Sequence, residues 1–234
     1  MKRVAISQSN YLPWKGYFDL IHDADVFIFL DDVQYTHRDW RNRNRIKSPH
    51  DLQWLTIPVG NADGRTINEV DLPENDWRER HWRALTHTYR RSHFFSQYEP
   101  FFREVYASKS FFRLSHLNQF LTVHIAQEFL RSKTKFLRSE DFQSQARKQE
   151  RLLALLRAVG ATTYISGPAA KAYIDPARFV EAGIELVWKD YSGYPEYPQP
   201  FPPFEHAVSI VDLLFSTGPD APWYIWGWRI QSSP

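Results

Sequence analysis

Apolar and polar positions along the chain change period several times, and each change marks a boundary. Residues 2–6 and 25–30 are short continuous apolar runs. The second is β-branched and aromatic and closes on Asp31-Asp32. Both read as buried parallel strands. Between them Pro13 and Gly16 punctuate a loop, and residues 17–22 have the length and spacing of a short helix, so the chain opens as a β-loop-α-β unit. Residues 53–59 read as a further strand, followed by a turn at residues 61–64 and another short strand near residues 66–70. From residue 77 to about 130, Trp82, Leu85, Tyr89, Phe101, Val105, Leu117, Phe120 and Ile125 recur at three-to-four spacing or its multiples, which predicts a block of about three helices. Residues 150–159 form a helix stopped by Gly160, 162–165 a strand, 176–182 a helix stopped by Gly183, and 184–188 a strand. A Pro- and Tyr-rich loop over residues 191–203 precedes a last apolar helix at 209–215.

The fold class expected from this order is α/β: a Rossmann-like sheet, parallel or mixed, at the N-terminus, with an inserted helical block at about 77–135. One domain over residues 1–234 is expected, with a Pro- and Trp-rich tail at 218–234. The chain of 234 residues is long enough to bury a continuous core. Its first residues are too short an apolar stretch for a signal peptide, and no apolar run nears the roughly 20 residues of a membrane helix, so a cytoplasmic, non-membrane protein is expected.

Cysteine is absent, which excludes disulfides, thiolate nucleophiles and zinc–sulfur sites. With 29 basic against 27 acidic residues, net charge gives no general case for nucleic acid. Aromatic content is high, 16% with nine Trp and twelve Tyr. These rings serve either as core or as stacking surfaces for a sugar or base. The nine His residues show no HxH or HExxH spacing, and His81 and His87 do not share a helical face, so no metal site is expected.

Three constellations follow predicted strands, and in open α/β sheets ligands bind outside the carboxyl ends of strands. The first is the loop with Gln8, Asn10, Trp14, Lys15 and Tyr17, which runs into a helix start suited to an anion. It lacks the glycines of a Rossmann or P-loop fingerprint and reads equally as an ordinary turn. The second runs from Asp31 through Gln34 to Arg41-Asn42-Arg43-Asn44-Arg45. In an extended segment its three arginines share one face and its two asparagines the other. Guanidinium pairs bidentately with phosphate or carboxylate, while a solvated charge run is the bland alternative. The third is Ser166-Gly167 with Lys171 and Tyr173, a small-residue turn that lets a ligand approach the backbone. Asp31 and Asp32 are the expected catalytic carboxylates. They stand too close to water for a core role, and Asp32 is the favoured base because Gln34 would share its face. The competing structural reading has them capping the next segment or pairing with Arg38 and Arg41.

The blocks Gln8-x-Asn10-x-x-Pro13-Trp14-x-Gly16-Tyr17-Phe18, Ala24-Asp25-Val26-Phe27, Asp31-Asp32-Val33-Gln34-Tyr35 and Arg41-Asn42-Arg43-Asn44 resemble the WbqC-like family of surface-polysaccharide gene clusters. So do Trp54-Leu55-Thr56-Ile57-Pro58-Val59, Asn118, Tyr164-Ile165-Ser166-Gly167, Tyr173-Ile174-Asp175, Gly183-Ile184 and the 209–215 helix, in order along nearly the whole chain. Ser9 stands where that family's Pro is expected, and the tail after Gly218 has no counterpart. The resemblance implies a glycine-type aminoacyl transferase, or an ATP-dependent ligase, that acylates the amine of a nucleotide-linked amino sugar in O-antigen assembly. Its partners would be that sugar and an amino acid, free, adenylated or carried on tRNA. The opening β-loop-α-β unit is similar to that of nucleotidyltransferase-like adenylating enzymes, which would bring in ATP and Mg²⁺. A non-catalytic binder of a nucleotide sugar, or an assembly partner, is the alternative.

Overall fold

The computed structural model describes residues 1–60, 62 and 64–231. Strand β1 (Arg3–Ser7) leads through the Gln8–Trp14 loop into helix α1 (Lys15–His22) and back into β2 (Val26–Phe29). An antiparallel ribbon follows, β3 (Arg43–Lys47) and β4 (Leu52–Thr56). The helical block is α2 (Trp77–Tyr89), α3 (Phe95–Ala107) and α4 (Leu114–His124), the last running on into a π-helical turn at Ile125–Phe129. The chain then forms β5 (Lys135–Arg138), α5 (Lys148–Ala158), β6 (Thr163–Ser166), α6 (Ala177–Glu181), β7 (Glu185–Trp188), α7 (Ile210–Thr217) and α8 (Trp228–Gln231).

The five-stranded sheet has the order β5-β2-β1-β6-β7, and every pairing in it is parallel. The architecture is α/β and Rossmann-like, with the helical block inserted between β2 and β5. The five-stranded sheet is parallel rather than mixed: the strand expected at 53–59 pairs as β4 with β3, in a separate antiparallel ribbon. Because strand side chains alternate, one face of the sheet carries Ala5, Phe27, Phe29 and Ile165 and packs against α1 and the inserted helices. The other carries Val4, Ile6, Val26, Ile28 and Tyr164 and packs against α5 and Phe179 of α6. Strand order runs outward from β1 to β2 and β5 on one side and to β6 and β7 on the other. The topological switch point therefore lies between β1 and β6, where such sheets open a crevice at their carboxyl ends.

Two local expectations change. Residues 66–70 are not a strand: Ile67–Glu69 is a 3-10 turn, because Thr66 N–H donates to the Glu69 carboxylate at 2.8 Å in a capping box that outweighs the β-branched residues around it. The turn expected at 61–64 includes Asn61 and Asp63, which lie outside the described residues, as do 232–234 of the tail. Strand β5 was not expected. The rest of the tail caps α1: Trp226 stacks on His22 at 3.9 Å, and the Arg229 guanidinium pairs with Asp19 and Asp23. Lys189 reaches the same two carboxylates at 2.8 and 2.6 Å. Among the described residues no helix is long and apolar enough to cross a membrane.

Helix α2 is tied to the first loop by a buried chain of donors. Nε2 of His81 donates to Thr56 O at 3.2 Å, which makes Nδ1 the acceptor for Tyr11 OH at 2.8 Å, and Tyr106 OH in turn bonds Tyr11 OH. Burial pushes the imidazole down to about 4. An unfolded imidazole takes up its proton near 6.5 and the folded one near 4, so stability is lost as pH falls through that window. Urea denaturation should show wild type losing about 3 kcal/mol more than His81→Gln between pH 6.5 and 4. Parallel pH profiles would show that His81 is protonated without cost.

Candidate functional site

Parallel pairing puts the ends of β1, β2, β5 and β6 on one rim, and with them the loops that carry all three constellations. Arg41 is the residue on which the first two meet. Its guanidinium donates to Asn10 Oδ1 and, at 3.1 Å, to Gln8 Oε1, and lies 3.4 Å from the Asp39 carboxylate, with 12% of the side chain exposed. Tyr17 lies beneath, donating to Gln8 O at 2.9 Å; burial and the nearby Asp31 raise its phenol well above the ordinary range. The third constellation meets the first through Tyr191, whose hydroxyl lies close over Gly167 and whose ring packs edge-on against Trp14 at 5.3 Å. Gly16 is required here because a β-carbon would fall 2.2 Å from the Trp14 indole.

The aspartates point opposite ways, as adjacent strand-end residues must. Asp31 is fully buried, contrary to the expectation of proximity to water. Its two oxygens accept from Ser9 N–H at 2.8 Å and Gln119 Nε2 at 2.7 Å. Burial raises its carboxyl, and those donors with Arg41 work against the rise. Asp32 turns toward β5 and α5, where it accepts from Ser139 Oγ and forms an ion pair with Arg151 at 2.6 Å. That partner replaces the Arg38 and Arg41 of the structural alternative. Gln34 is exposed and bridges to Thr66. All four carboxylate oxygens are thus already engaged, so the pair does not fit a Mg²⁺ site. Among the described residues no three His, Asp or Glu side chains gather as a metal site.

The arginines do not act as one face. Arg41 precedes β3 and turns to the rim, whereas Arg43 and Arg45, within β3, stand over Trp54, with guanidinium-to-ring distances of 4.3 and 5.6 Å. Asn42 and Asn44 are buried, not presented to a ligand. Asn42 Nδ2 donates to Ile57 O at 2.8 Å, and Asn44 Nδ2 to Tyr11 O and Leu12 O at 3.2 and 2.7 Å, satisfying backbone groups that no strand partner reaches. Lys15 is also buried. Its ammonium faces the Tyr194, Tyr197 and Phe204 rings and Pro195 O, and burial lowers it to about 8 against the pull of Asp212 and Glu196. Ser166 is buried, while Lys171 and Tyr173 are exposed, Lys171 lying over the Trp188 ring at 5.6 Å.

Four residues enter the site that the sequence pattern did not single out for it. Asp39 holds Arg41, and the only hint was the Asp-x-Arg spacing. Gln119 holds Asp31, and Asn118, beside it on α4, donates to Arg41 O at 2.8 Å. Glu140 sits just past β5 with a quarter of its side chain exposed; burial and Asp31 push its carboxyl up, against Arg138. It could not be seen without β5. A cavity of about 460 Å³ opens beside Gln119 and Arg138, lined also by His116 and Phe120. A second, of about 620 Å³, lies elsewhere, between the end of α2 and the Pro-rich loop, with His87, Arg90, Arg91 and His93 on its wall.

The carboxyl-end rim of this parallel α/β sheet thus presents a clamped guanidinium, side-chain amides and a half-buried carboxylate. The chain belongs to the WbqC-like protein family, which it matches over residues 8–224. It is 45% identical over 228 residues to "Uncharacterized protein Rv1507c" of Mycobacterium tuberculosis (strain ATCC 25618 / H37Rv), covering 96% of this chain and 98% of that one. No solved structure matches.

Because Asp32 is anchored by Arg151, its replacement should act on stability. Asp32→Asn is expected to lose about 2 kcal/mol in urea denaturation, less than a fully buried pair because 26% of the Asp32 side chain is exposed. The loss should shrink in an Arg151→Met background, as a double-mutant cycle would read. Equal losses in both backgrounds would show that the ion pair is not what Asp32 contributes.

Proposed function

We propose that the protein transfers an amino-acid acyl group, of glycine type, to the amine of a nucleotide-linked amino sugar. The observation that carries this is the guanidinium of Arg41, clamped by Gln8 and Asn10 at the carboxyl-end rim, with the charge of Asp31 felt both by it and by the raised carboxyl of Glu140. Arg41 binds the anionic part of the substrate, since two of its donors are already fixed by Gln8 and Asn10 and its direction is set before the ligand arrives. Glu140 takes the proton that the amine loses as its nitrogen bonds to the acyl carbon and the acyl–oxygen bond of the donor breaks. A carboxyl raised above its usual range is the better proton acceptor. Asp31 and Asp32 are positioning residues in this reading. ATP enters as the reagent that activates a free amino acid, and an aminoacyl ester on tRNA is the donor that needs no ATP.

The test is mass spectrometry of a nucleotide amino sugar incubated with the protein, in one arm with glycine and ATP and in the other with glycyl-tRNA alone, with phosphate and pyrophosphate release measured in parallel. Wild type should add one glycyl group in one of the arms. Arg41→Gln should lower kcat/KM by about ten- to a hundred-fold, and Glu140→Gln should lower kcat by about 10²–10⁴-fold with the sugar's affinity kept. No acylated sugar in either arm, with the nucleotide sugar still bound, would replace the transferase with a non-catalytic binder.

A further inference from the structure

The β3–β4 ribbon has two unlike faces. Residues directly opposite in its register share a face, so Arg43, Arg45, Trp54 and Thr56 stand together, while Ile46 and Leu55, fully buried, look into the core. On the outer face Trp54 stacks with Trp40, ring centres 5.7 Å apart and planes at 29°, yet the two remain 43% and 41% exposed. Two large touching rings held in solvent gain little from burial. The guanidinium groups add charge to the same surface. Arg43 lies over Trp54 and Arg45 lies 5.9 Å from Trp40, each guanidinium held in place by donating one Nη to a backbone carbonyl, Arg38 O for Arg43 and Ala207 O at 2.9 Å for Arg45.

We propose that this face seats the base of a nucleoside diphosphate, with the diphosphate running past Arg43 to Arg41 and the rest of the substrate entering the rim. The proposal rests on reading the substrate as a nucleotide-linked sugar. Three features select this occupant. Any base offers a π-face to an indole, and guanidinium adds to such stacking. The arginines complement phosphate, which an uncharged saccharide lacks. Arg41 and Arg43 are only two residues apart in the chain, so the guanidinium of the rim directly adjoins the platform in sequence. The platform and the rim are also one rigid piece. The Asp39 carboxylate that holds Arg41 accepts Trp40 N–H at 2.7 Å, and Trp40 O accepts Tyr11 N–H at 3.0 Å from the β1 loop.

The test is calorimetric titration of the full chain with UDP, dTDP, GDP, ADP and inorganic pyrophosphate, with sedimentation velocity alongside. Wild type should bind at least one nucleoside diphosphate more tightly than pyrophosphate. Trp54→Ala should weaken that nucleotide by roughly ten- to a hundred-fold and leave pyrophosphate unchanged, while Trp54→Phe keeps most of the affinity. Nucleoside diphosphates and pyrophosphate bound alike by wild type, or weakened alike by Trp54→Ala, would overturn the proposal. So would a dimer that Trp54→Ala dissociates without loss of nucleotide affinity, since the face would then bind a second copy. No acyl donor or amino sugar is present, so loss of transferase activity does not bear on this result. Unchanged acyl transfer at low nucleotide-sugar concentration in Trp54→Ala would sink the base platform alone.

Discussion

The carboxylate of Asp31 is buried completely at the end of β2, and an ion in that position persists only if its surroundings supply donors. They come from far along the chain in both directions: Ser9 N–H from the β1 loop and the Gln119 amide from α4. One acid therefore joins the first loop, the second strand and the inserted helices. The adjacent Asn118 binds Arg41 O at 2.8 Å, so a single turn of α4 sets both the acid and the arginine. The Asp31 carbonyl takes Asn68 N–H at 2.9 Å, bringing the 3-10 turn against the same loop. Ser9 matters for its backbone N–H. A proline there would lack the N–H that Asp31 accepts.

Around that anchor the charged residues divide by what they can reach. Arg41 lies outside the ribbon, where the chain has not yet entered the pairing of β3, and its side chain is free to turn to Gln8 and Asn10. Two and four residues on, the same side chain type is held by strand register above Trp54. Its polar neighbours Asn42 and Asn44 point inward: Asn42 satisfies Ile57 O, and Asn44 satisfies carbonyls of a loop that includes Leu12, whose positive φ of 43° removes it from any regular ladder. The ion group of Asp19, Asp23, Lys189 and Arg229 plays a comparable part at the opposite side of α1, fixing the helix that follows the site loop.

Much of the fold was legible because its strands are pure apolar runs and its helices have clean periods. Val26-Phe27-Ile28-Phe29 can hardly be anything but an inner strand, and Gly160 and Gly183, both at positive φ, end helices as expected. Strand β5 was illegible for the opposite reason: four half-exposed residues, Lys135-Phe136-Leu137-Arg138, at the sheet edge carry little pattern. That the three loops share one rim could be read from which loops follow strands, but the direction of each side chain could not. Asp31 and Gln119 are 88 residues apart, and Tyr191 closes over Gly167 from a loop with no period of its own. Asn44 and Lys15 looked like ligand groups by type, and only packing shows them spent on the protein's own carbonyls and rings.

The proposed ligand site is the rim that Asp31 organises, and a crystal structure of the protein with a nucleotide-linked amino sugar tests this most directly. Phosphate oxygens are expected within hydrogen-bond distance of the Arg41 guanidinium, with the Asp31 carboxylate still bonded to Ser9 and Gln119 and the sugar amine turned toward Glu140. A ligand seated instead among His87, Arg90, Arg91 and His93, with nothing bound at Arg41, would contradict it.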